Sequence, residues 1–220
     1  MSESARVSLV PTPAGLPSIR VRRPQGGYAT LHSLQDPWEE ACRLAESVPL
    51  DPQTGLVLVL GVGLGYHVLA LAHRIRSLGH PASLWAVELD DDVLAACLQH
   101  TDLGLLFKLR EGRLLSQRGL GRLQALDEDA PESRVQVLRH APSCALAPGA
   151  YAVWEATVAE VGARRRLRDG GTGVGRWLQG LKGPAVLAVR EACRRVLEAG
   201  PPFGDDETAL LLLDRVHRYE

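Results

Sequence analysis

The sequence predicts an α/β fold built on a parallel sheet, with an N-terminal β/α element and a helical C-terminal part. Leu56–Leu60 is a continuous apolar run with Val at alternate positions, which is typical of a parallel strand buried on both faces. Three alternating glycines follow this run, and an apolar-periodic helix begins at Tyr66. Strands and helices then alternate to about residue 140, which favours right-handed crossovers and a Rossmann-like core over residues 51–150.

Composition and charge describe a globular chain with no electrostatic preference for nucleic acid. Of the 220 residues, 45% are hydrophobic and 23% are charged, and the formal net charge is −1. The N-terminal segment lacks the apolar core of a signal peptide, and no apolar run reaches the roughly 18 residues that span a bilayer. We therefore expect a cytoplasmic protein with neither nucleic acid nor membrane as a partner. The abundance of Leu, Ala, Arg and Gly is typical of a high-GC bacterial genome.

The four cysteines predict no metal site. Cys42, Cys97, Cys144 and Cys193 lie about 50 residues apart without a C-x-x-C pair. Zinc sites need ligands paired at short spacing, so these cysteines are expected to be small core residues.

Residues 1–50 predict strands and one helix that pack on the core. Val7–Val10, Ile19–Arg23 and Tyr28–Leu31 are short strand-like segments separated by Pro and Gly, which favours a small antiparallel meander. Asp36 and Pro37 then suit the N-cap and the first position of a helix. Trp38, Ala41, Cys42, Ala45 and Val48 recur on its expected apolar face.

The remaining elements are read from periodicity and turn residues. In the core we expect a helix over Tyr66–Leu78, a strand over Ser83–Leu89, a helix from Asp90 to about His100, and strands near Arg113–Ser116 and Val135–Leu138. In residues 151–220 we expect helices over Ala150–Leu167, Ala185–Ala199 and Ala209–Tyr219, with a mobile glycine-rich loop at Asp169–Gly175.

The glycine loop is the main candidate for ligand binding. Gly61, Gly63 and Gly65 lack the Cβ that would fill the space where a phosphate or an adenosyl group approaches the backbone. Tyr66 and His67 begin the following helix, so their backbone N–H groups are expected to face the ligand. A loop in an inherited fold that binds no cofactor is the alternative interpretation.

An acid in register supports the ligand hypothesis. Glu88 stands at the carboxyl end of the next strand, where a carboxylate accepts hydrogen bonds from both ribose hydroxyls. The G-x-G-x-G rhythm is shorter than the usual dinucleotide pattern and resembles S-adenosylmethionine methyltransferases and aminopropyltransferases such as spermidine synthase. Glu88 and Leu89 also lie in a segment similar to the second motif of that superfamily. This resemblance implies a class I methyltransferase-like fold with S-adenosylmethionine as its cofactor.

The segment after the fourth strand lacks the expected catalytic acid. Related transferases place a carboxylate or an Asn-Pro-Pro-aromatic motif there, whereas this chain has Leu138–Ser143. His140 is a candidate base and Arg139 a candidate anion ligand, although both types are common as surface residues at strand ends. The basic run Arg164–Arg168 is either a solvated face or a phosphate cover.

One family resemblance is more specific than the glycine loop. Leu31-His32-Ser33, Asp36–Ala41 and Gly61–His67 together resemble the N-terminal domain of motility accessory factors (Maf), which are implicated in flagellin glycosylation with nonulosonic acids. Val87–Asp90 is similar to the family's Val-Glu-Pro-Asp, with Leu89 in place of proline. The resemblance covers roughly residues 28–160 and implies a Rossmann-like domain with a retained glycine loop.

The resemblance also has a limit. The family's transferase chemistry is attributed to a following domain, shared with hydroxymethylpterin pyrophosphokinases, that opens with Gly-Pro-Ser-Leu. Gly183-Pro184-Ala185 and Gly200-Pro201-Pro202 both differ from that motif. The resemblance therefore implies either a free-standing version of the domain or a protein partner that supplies the catalytic domain. For Leu31–Ala41, a strand end followed by a helix cap is the alternative to direct ligand contact.

Three functional hypotheses follow. The first is a nucleotide- or S-adenosylmethionine-binding domain, acting as a methyltransferase if it is catalytic. The second is a non-catalytic module related to the glycosylation-associated domain, which the missing carboxylate favours. The third is transfer to or from a nucleotide sugar, which needs a phosphate-binding cluster around Arg139 or Arg164–Arg168.

Overall fold

The computed structural model describes residues 6–120 and 134–168. Residues 6–120 and 134–156 belong to one compact unit, and residues 157–168 belong to a second, of which only this helical stretch is described. The predicted helices Ala185–Ala199 and Ala209–Tyr219 and the loop Asp169–Gly175 lie outside the described residues, as do the side chains of Arg164–Arg168.

The N-terminal segments form the predicted antiparallel meander. Its strands are β1 (Val7–Val10), β2 (Ser18–Arg22) and β3 (Tyr28–Thr30), in the order β1-β2-β3. Ile19 and Val21 are buried, while the arginines that alternate with them on β2 are exposed. Burial that alternates every second residue is typical of a sheet with one face covered by the core and the other in solvent.

Helix α1 (Pro37–Glu46) begins where the sequence predicts. The Asp36 carboxylate accepts hydrogen bonds from the backbone N–H groups of Trp38 and Glu39, each at 2.9 Å. The buried face comprises Pro37, Ala41 and Ala45, whereas Trp38 is 40% exposed. The expectation that Trp38 shares the apolar face is wrong. Pro37, Ala41 and Ala45 form a line along the helix because they are four residues apart, and Trp38 lies about 100° around the helix from this line.

A parallel sheet forms the centre of the unit. Its strands are β4 (Thr54–Leu60), β5 (Ser83–Val87), β6 (Arg113–Leu115) and β7 (Arg134–Arg139), in the order β6-β5-β4-β7. The first of these strands therefore lies inside the sheet, with β5 on one side and β7 on the other. The strand order reverses between β4 and β7. Such switch points open crevices at the carboxyl ends of the strands.

Helices connect and follow these strands. They are α2 (Tyr66–Ser77), α3 (Asp91–His100), α4 (Gly104–Phe107), α5 (Ala141–Cys144) and α6 (Pro148–Arg168), with a 3-10 turn at Gln117–Gly119. α2, α3 and the start of α6 match the periodicity. The four-residue helices α4 and α5 do not appear in the prediction, because one turn gives no periodic signal.

The two sheets share one hydrophobic core. Ile19, Val21 and Leu31 from the N-terminal segment belong to the same buried cluster as Val57 and Val59 of β4. The meander is therefore packed on the parallel-sheet region, and it brings the residues after β3 close to the glycine loop.

Candidate functional site: the glycine loop and three buried histidines

Three segments meet at the carboxyl edge of the sheet. The backbone N–H of Gly61 donates to the Val87 carbonyl (2.9 Å), and the N–H of His140 donates to the Leu60 carbonyl (2.9 Å). These bonds extend the pairing of β4 with its neighbours by one residue. The glycine loop, Glu88 and His140 therefore lie side by side, as their positions after parallel strands predict.

Glu88 points into the glycine loop and is 1% exposed. Its Oε2 atom accepts hydrogen bonds from the backbone N–H groups of Val62 (2.8 Å) and Gly63 (3.1 Å). These N–H groups belong to the loop that is predicted to approach a ligand, whereas the predicted ligand donors are the N–H groups of Tyr66 and His67. The protein's own carboxylate takes the position of an anion in the cradle formed by the loop amides.

The second carboxylate oxygen of Glu88 is also bound. Oε1 accepts from the backbone N–H groups of Leu89 (3.0 Å) and Asp90 (3.2 Å) and from the Tyr151 hydroxyl (2.9 Å). A carboxylate offers about four acceptor positions, so five donors saturate it. Burial, followed by the adjacent Glu88 charge, raises the pKa of Tyr151, which keeps the hydroxyl protonated and donating.

Protein atoms fill the space beside two of the glycines. Gly61 and Gly63 have φ values of +86° and +55°, which disfavour any side chain. A Cβ at Gly61 would overlap Ser143, and a Cβ at Gly63 would overlap the His32 ring. Close approach to the backbone is therefore needed here, but in this structure the approaching groups are side chains of the same chain.

Three histidines are buried together at this edge. His32 follows β3, His67 lies in the first turn of α2, and His140 follows β7, and each is at most 4% exposed. The ring centroids are 4.4 Å apart for His67 and His140, 5.0 Å for His32 and His140, and 5.9 Å for His32 and His67. Residues separated by more than 30 positions in sequence thus form one cluster, here called the histidine cluster.

Hydrogen bonds orient each ring of the histidine cluster. His32 Nε2 accepts from the Leu64 N–H (2.8 Å), so this nitrogen carries a lone pair. His67 Nε2 lies 2.9 Å from the Gly61 carbonyl oxygen, which only accepts, so Nε2 carries the proton. His140 Nδ1 lies 2.7 Å from Ser143 Oγ.

Two nitrogens of the cluster have no hydrogen-bond partner among the described residues. They are His67 Nδ1 and His140 Nε2, both fully buried. Buried polar atoms without a partner are rare in folded proteins and call for an explanation.

The histidine cluster is neutral at pH 7. Burial, followed by the neighbouring His67, lowers the pKa of His32 to about 3. Burial lowers the pKa of His67 to about 4, with the Gly61 carbonyl opposing it. Burial and the other two rings lower the pKa of His140 well below its usual value, partly offset by the Leu31 backbone. Desolvation dominates in each case because it penalises the charged imidazolium.

The other predicted site residues have structural contacts. The Tyr66 hydroxyl donates to the Pro17 carbonyl (2.9 Å), and the Leu89 N–H donates to Glu88. Arg139 is a half-exposed residue whose guanidinium lies 3.5 Å from the Glu155 carboxylate. His140 is 1% exposed, so the interpretation of it as a surface residue is wrong.

Two residues of this site are not predicted from the sequence as site residues. Tyr151 lies on α6, in a segment without any motif, and reaches Glu88 only through tertiary packing. His32 belongs to the family-like segment Leu31–Ala41, but neither of the two interpretations considered for that segment places it against the glycine loop. One signal points to His32: in the family pattern, its segment occurs together with the glycine motif.

Comparison with known proteins gives no relative. No family model, curated protein or solved structure matches the chain. Among the described residues, no helix has the length and apolar character to cross a membrane.

Proposed function

We propose that the parallel-sheet region is a Rossmann-like domain that acts as a non-catalytic module. Its proposed role is that of the domain its sequence resembles, which belongs to proteins implicated in surface glycosylation. The observation that carries this proposal is the saturation of the Glu88 carboxylate by two loop amides, two further amides and the Tyr151 hydroxyl. The glycine loop thus anchors an internal acid at the place where a nucleotide would otherwise be held.

Strand order supports the Rossmann-like part of the proposal. In that fold the first strand lies inside the sheet, the second and third extend to one side, and the fourth lies on the other. The order β6-β5-β4-β7 follows this pattern, and Glu88 follows the second strand.

Energetics support a closed site. A ligand that takes the Glu88 carboxylate from the loop has to satisfy the N–H groups of Val62 and Gly63 in its place. A buried donor left without a partner costs about 1–3 kcal/mol. The ligand has also to displace His32 and Ser143 from beside the glycines.

The chemistry of the described side chains supports a non-catalytic role. Burial raises the pKa of the Cys97 thiol to about 12 and raises that of Cys144, so neither is an activated thiolate. The pKa of His140 is lowered, which makes it a weak base at neutral pH. Arg139 is paired with Glu155, so its guanidinium is already neutralised in part by a carboxylate.

The second candidate function is binding of S-adenosylmethionine or another nucleotide. The position of Glu88 favours it, because an acid that follows the second strand and reaches the loop amides is also placed to accept ribose hydroxyls. This function requires the Glu88 side chain to leave the loop and His32 to withdraw from Gly63.

Thermal unfolding with ligands separates the two functions. We expect no rise in melting temperature with S-adenosylmethionine, S-adenosylhomocysteine, or cytidine and uridine nucleotides. A ligand at about 100 times its Kd stabilises the folded state by about 2.7 kcal/mol, which corresponds to a shift of about 5–10 °C for a chain of this size. A shift of that size with an adenosyl compound, lost in Glu88→Gln and kept in the exposed control Glu46→Gln, would establish the second function instead.

A further inference from the structure

We propose that His32, His67 and His140 bind a divalent transition metal ion of the zinc class at the carboxyl edge of the sheet. One ring nitrogen from each of the three lies within 4.8 Å of the others, and all three residues are buried. The inference is independent of the proposed function, since it depends on the histidine cluster and on no nucleotide. The expectation from the sequence that the protein has no metal site is based on the cysteine spacing alone and not on the histidines.

The ring spacing suits a tetrahedral ion. Zinc binds imidazole nitrogens at about 2.0–2.1 Å, which places the centroids of three tetrahedrally arranged rings about 5 Å apart. The observed separations are 4.4, 5.0 and 5.9 Å. The candidate nitrogens lie within 4.8 Å of one another, whereas nitrogens bound to one tetrahedral ion lie about 3.3 Å apart, so the rings have to turn and close on the ion by up to about 1.5 Å.

The hydrogen bonds place the required lone pair on His67 and are compatible with one on His140. His67 donates through Nε2 to the Gly61 carbonyl, so the lone pair is on Nδ1, which has no partner among the described residues. His140 contacts Ser143 through Nδ1, and Nε2 has no partner in the same part of the chain; the tautomer that binds an ion is the one in which Nδ1 donates to Ser143 Oγ and the lone pair lies on Nε2. Metal-binding histidines use one nitrogen for the ion and the other for a backbone or side-chain oxygen.

His32 supplies the third nitrogen with one rearrangement. Its Nε2 lone pair now accepts the Leu64 N–H, and binding of the ion displaces this hydrogen bond. The opposite nitrogen, Nδ1, lies 3.9 Å from the Glu40 carboxylate, which accepts from the Ser33 N–H and becomes a partner of Nδ1 only if the His32 ring moves closer to it. A carboxylate behind a metal-binding histidine fixes its tautomer and raises its basicity.

The ion would join the residue after β3, the first turn of α2 and the end of β7. Because these segments are far apart in sequence, the ion would stabilise the fold.

Metal content and cobalt spectroscopy test the proposal on the wild-type chain. After removal of any affinity tag, we expect about one equivalent of zinc by elemental analysis, or uptake of one equivalent after treatment with EDTA. Co²⁺ should give the intense visible absorption of a four-coordinate site, and Zn²⁺ but not Mg²⁺ should raise the melting temperature by several degrees. No bound metal, no cobalt spectrum and no stabilisation would overturn the proposal.

Two variants each remove the ligand nitrogen of one histidine and keep the hydrogen bond that the other ring nitrogen makes. The amide of Gln in His67→Gln can still donate to the Gly61 carbonyl, and the amide of Asn in His140→Asn can still reach Ser143. We expect each to weaken Co²⁺ binding at least about 100-fold, while the exposed control His100→Asn binds like wild type. Unchanged binding in both folded variants would place the metal elsewhere and contradict the proposal; if either fails to fold, the wild-type titration decides alone.

Discussion

The environment of Glu88 illustrates how one buried charge organises several backbone segments. Its two oxygens bind N–H groups from the glycine loop, from its own strand end and from the start of α3, and the hydroxyl of Tyr151. Burying an ion is unfavourable unless hydrogen bonds replace its hydration. The five donors fulfil that condition and fix the glycine loop against β5.

Replacing this carboxylate with a neutral amide should destabilise the protein. Glu88→Gln keeps the shape but turns one oxygen into an NH2 group, which faces N–H donors instead of accepting from them. We expect the free energy of unfolding in urea to fall by about 2–4 kcal/mol. The exposed control Glu46→Gln should change it by less than about 0.5 kcal/mol. A loss below about 1 kcal/mol for Glu88→Gln would mean that the five hydrogen bonds do not hold in solution.

Gly63 combines a left-handed backbone with a crowded environment, and the two effects are separable. Its φ is +55° and a Cβ would meet the His32 ring, whereas Gly79 has φ +59° with no atom within 4 Å of a Cβ. Gly79→Ala should cost about 1–2 kcal/mol for the backbone alone. Gly63→Ala should cost at least about 2 kcal/mol more, measured by chemical unfolding. Equal losses at both positions would show that His32 does not press against the loop.

At the scale of elements, α1 and α2 are joined by an arginine that bonds the end of the neighbouring helix. The Arg74 guanidinium donates to the carbonyls of Ala45 (2.7 Å) and Val48 (2.6 Å). These carbonyls lie at the C-terminal end of α1, where the backbone lacks intrahelical donors and the helix dipole favours a cation.

Removal of this cap should loosen the contact between the two helices. Arg74→Met keeps most of the aliphatic stem but leaves the two carbonyls without the guanidinium. We expect a loss of about 1–3 kcal/mol in the free energy of unfolding, with faster amide hydrogen exchange at the end of α1. Arg76→Met, on an exposed position of the same helix, is the matched control and should be close to neutral. An effect no larger than that of the control would show that the cap contributes little.

The elements themselves were largely predictable because their signals are local. The Asp36 cap, the apolar run of β4 and the periodicity of α2 depend on residues within a few positions of one another, and the structure has each of them. The site was predictable only in part. Placement of Glu88 and the glycines at one edge follows from parallel strands. The closure of that edge by His32 and Tyr151 depends on packing between distant segments, which no spacing in a single sequence encodes.

At the scale of the whole molecule, the histidine cluster couples folding to pH. In the folded chain the pKa of His32 is lowered to about 3 and that of His67 to about 4, and that of His140 is also lowered. In the unfolded chain each imidazole is solvated and titrates near its ordinary value of about 6.5. Between these limits the unfolded state binds more protons than the folded state, so stability rises with pH.

The metal-free protein in EDTA should therefore lose stability as the pH falls from about 6.5 towards 4. Each histidine that is protonated only in the unfolded state contributes a slope of about 1.4 kcal/mol per pH unit. Stability should be fully present above about pH 6.5, and urea midpoints measured from pH 7.5 to 4.5 should fall steeply across the acid half of this range. The pKa of Asp90 is lowered below 3.8, so it acts at more acidic pH and does not confound the window. His67→Gln and His140→Asn should each make the slope shallower, whereas the exposed control His100→Asn should lower it much less than either. A flat profile between pH 6.5 and 5 would mean that the three rings are solvated rather than buried.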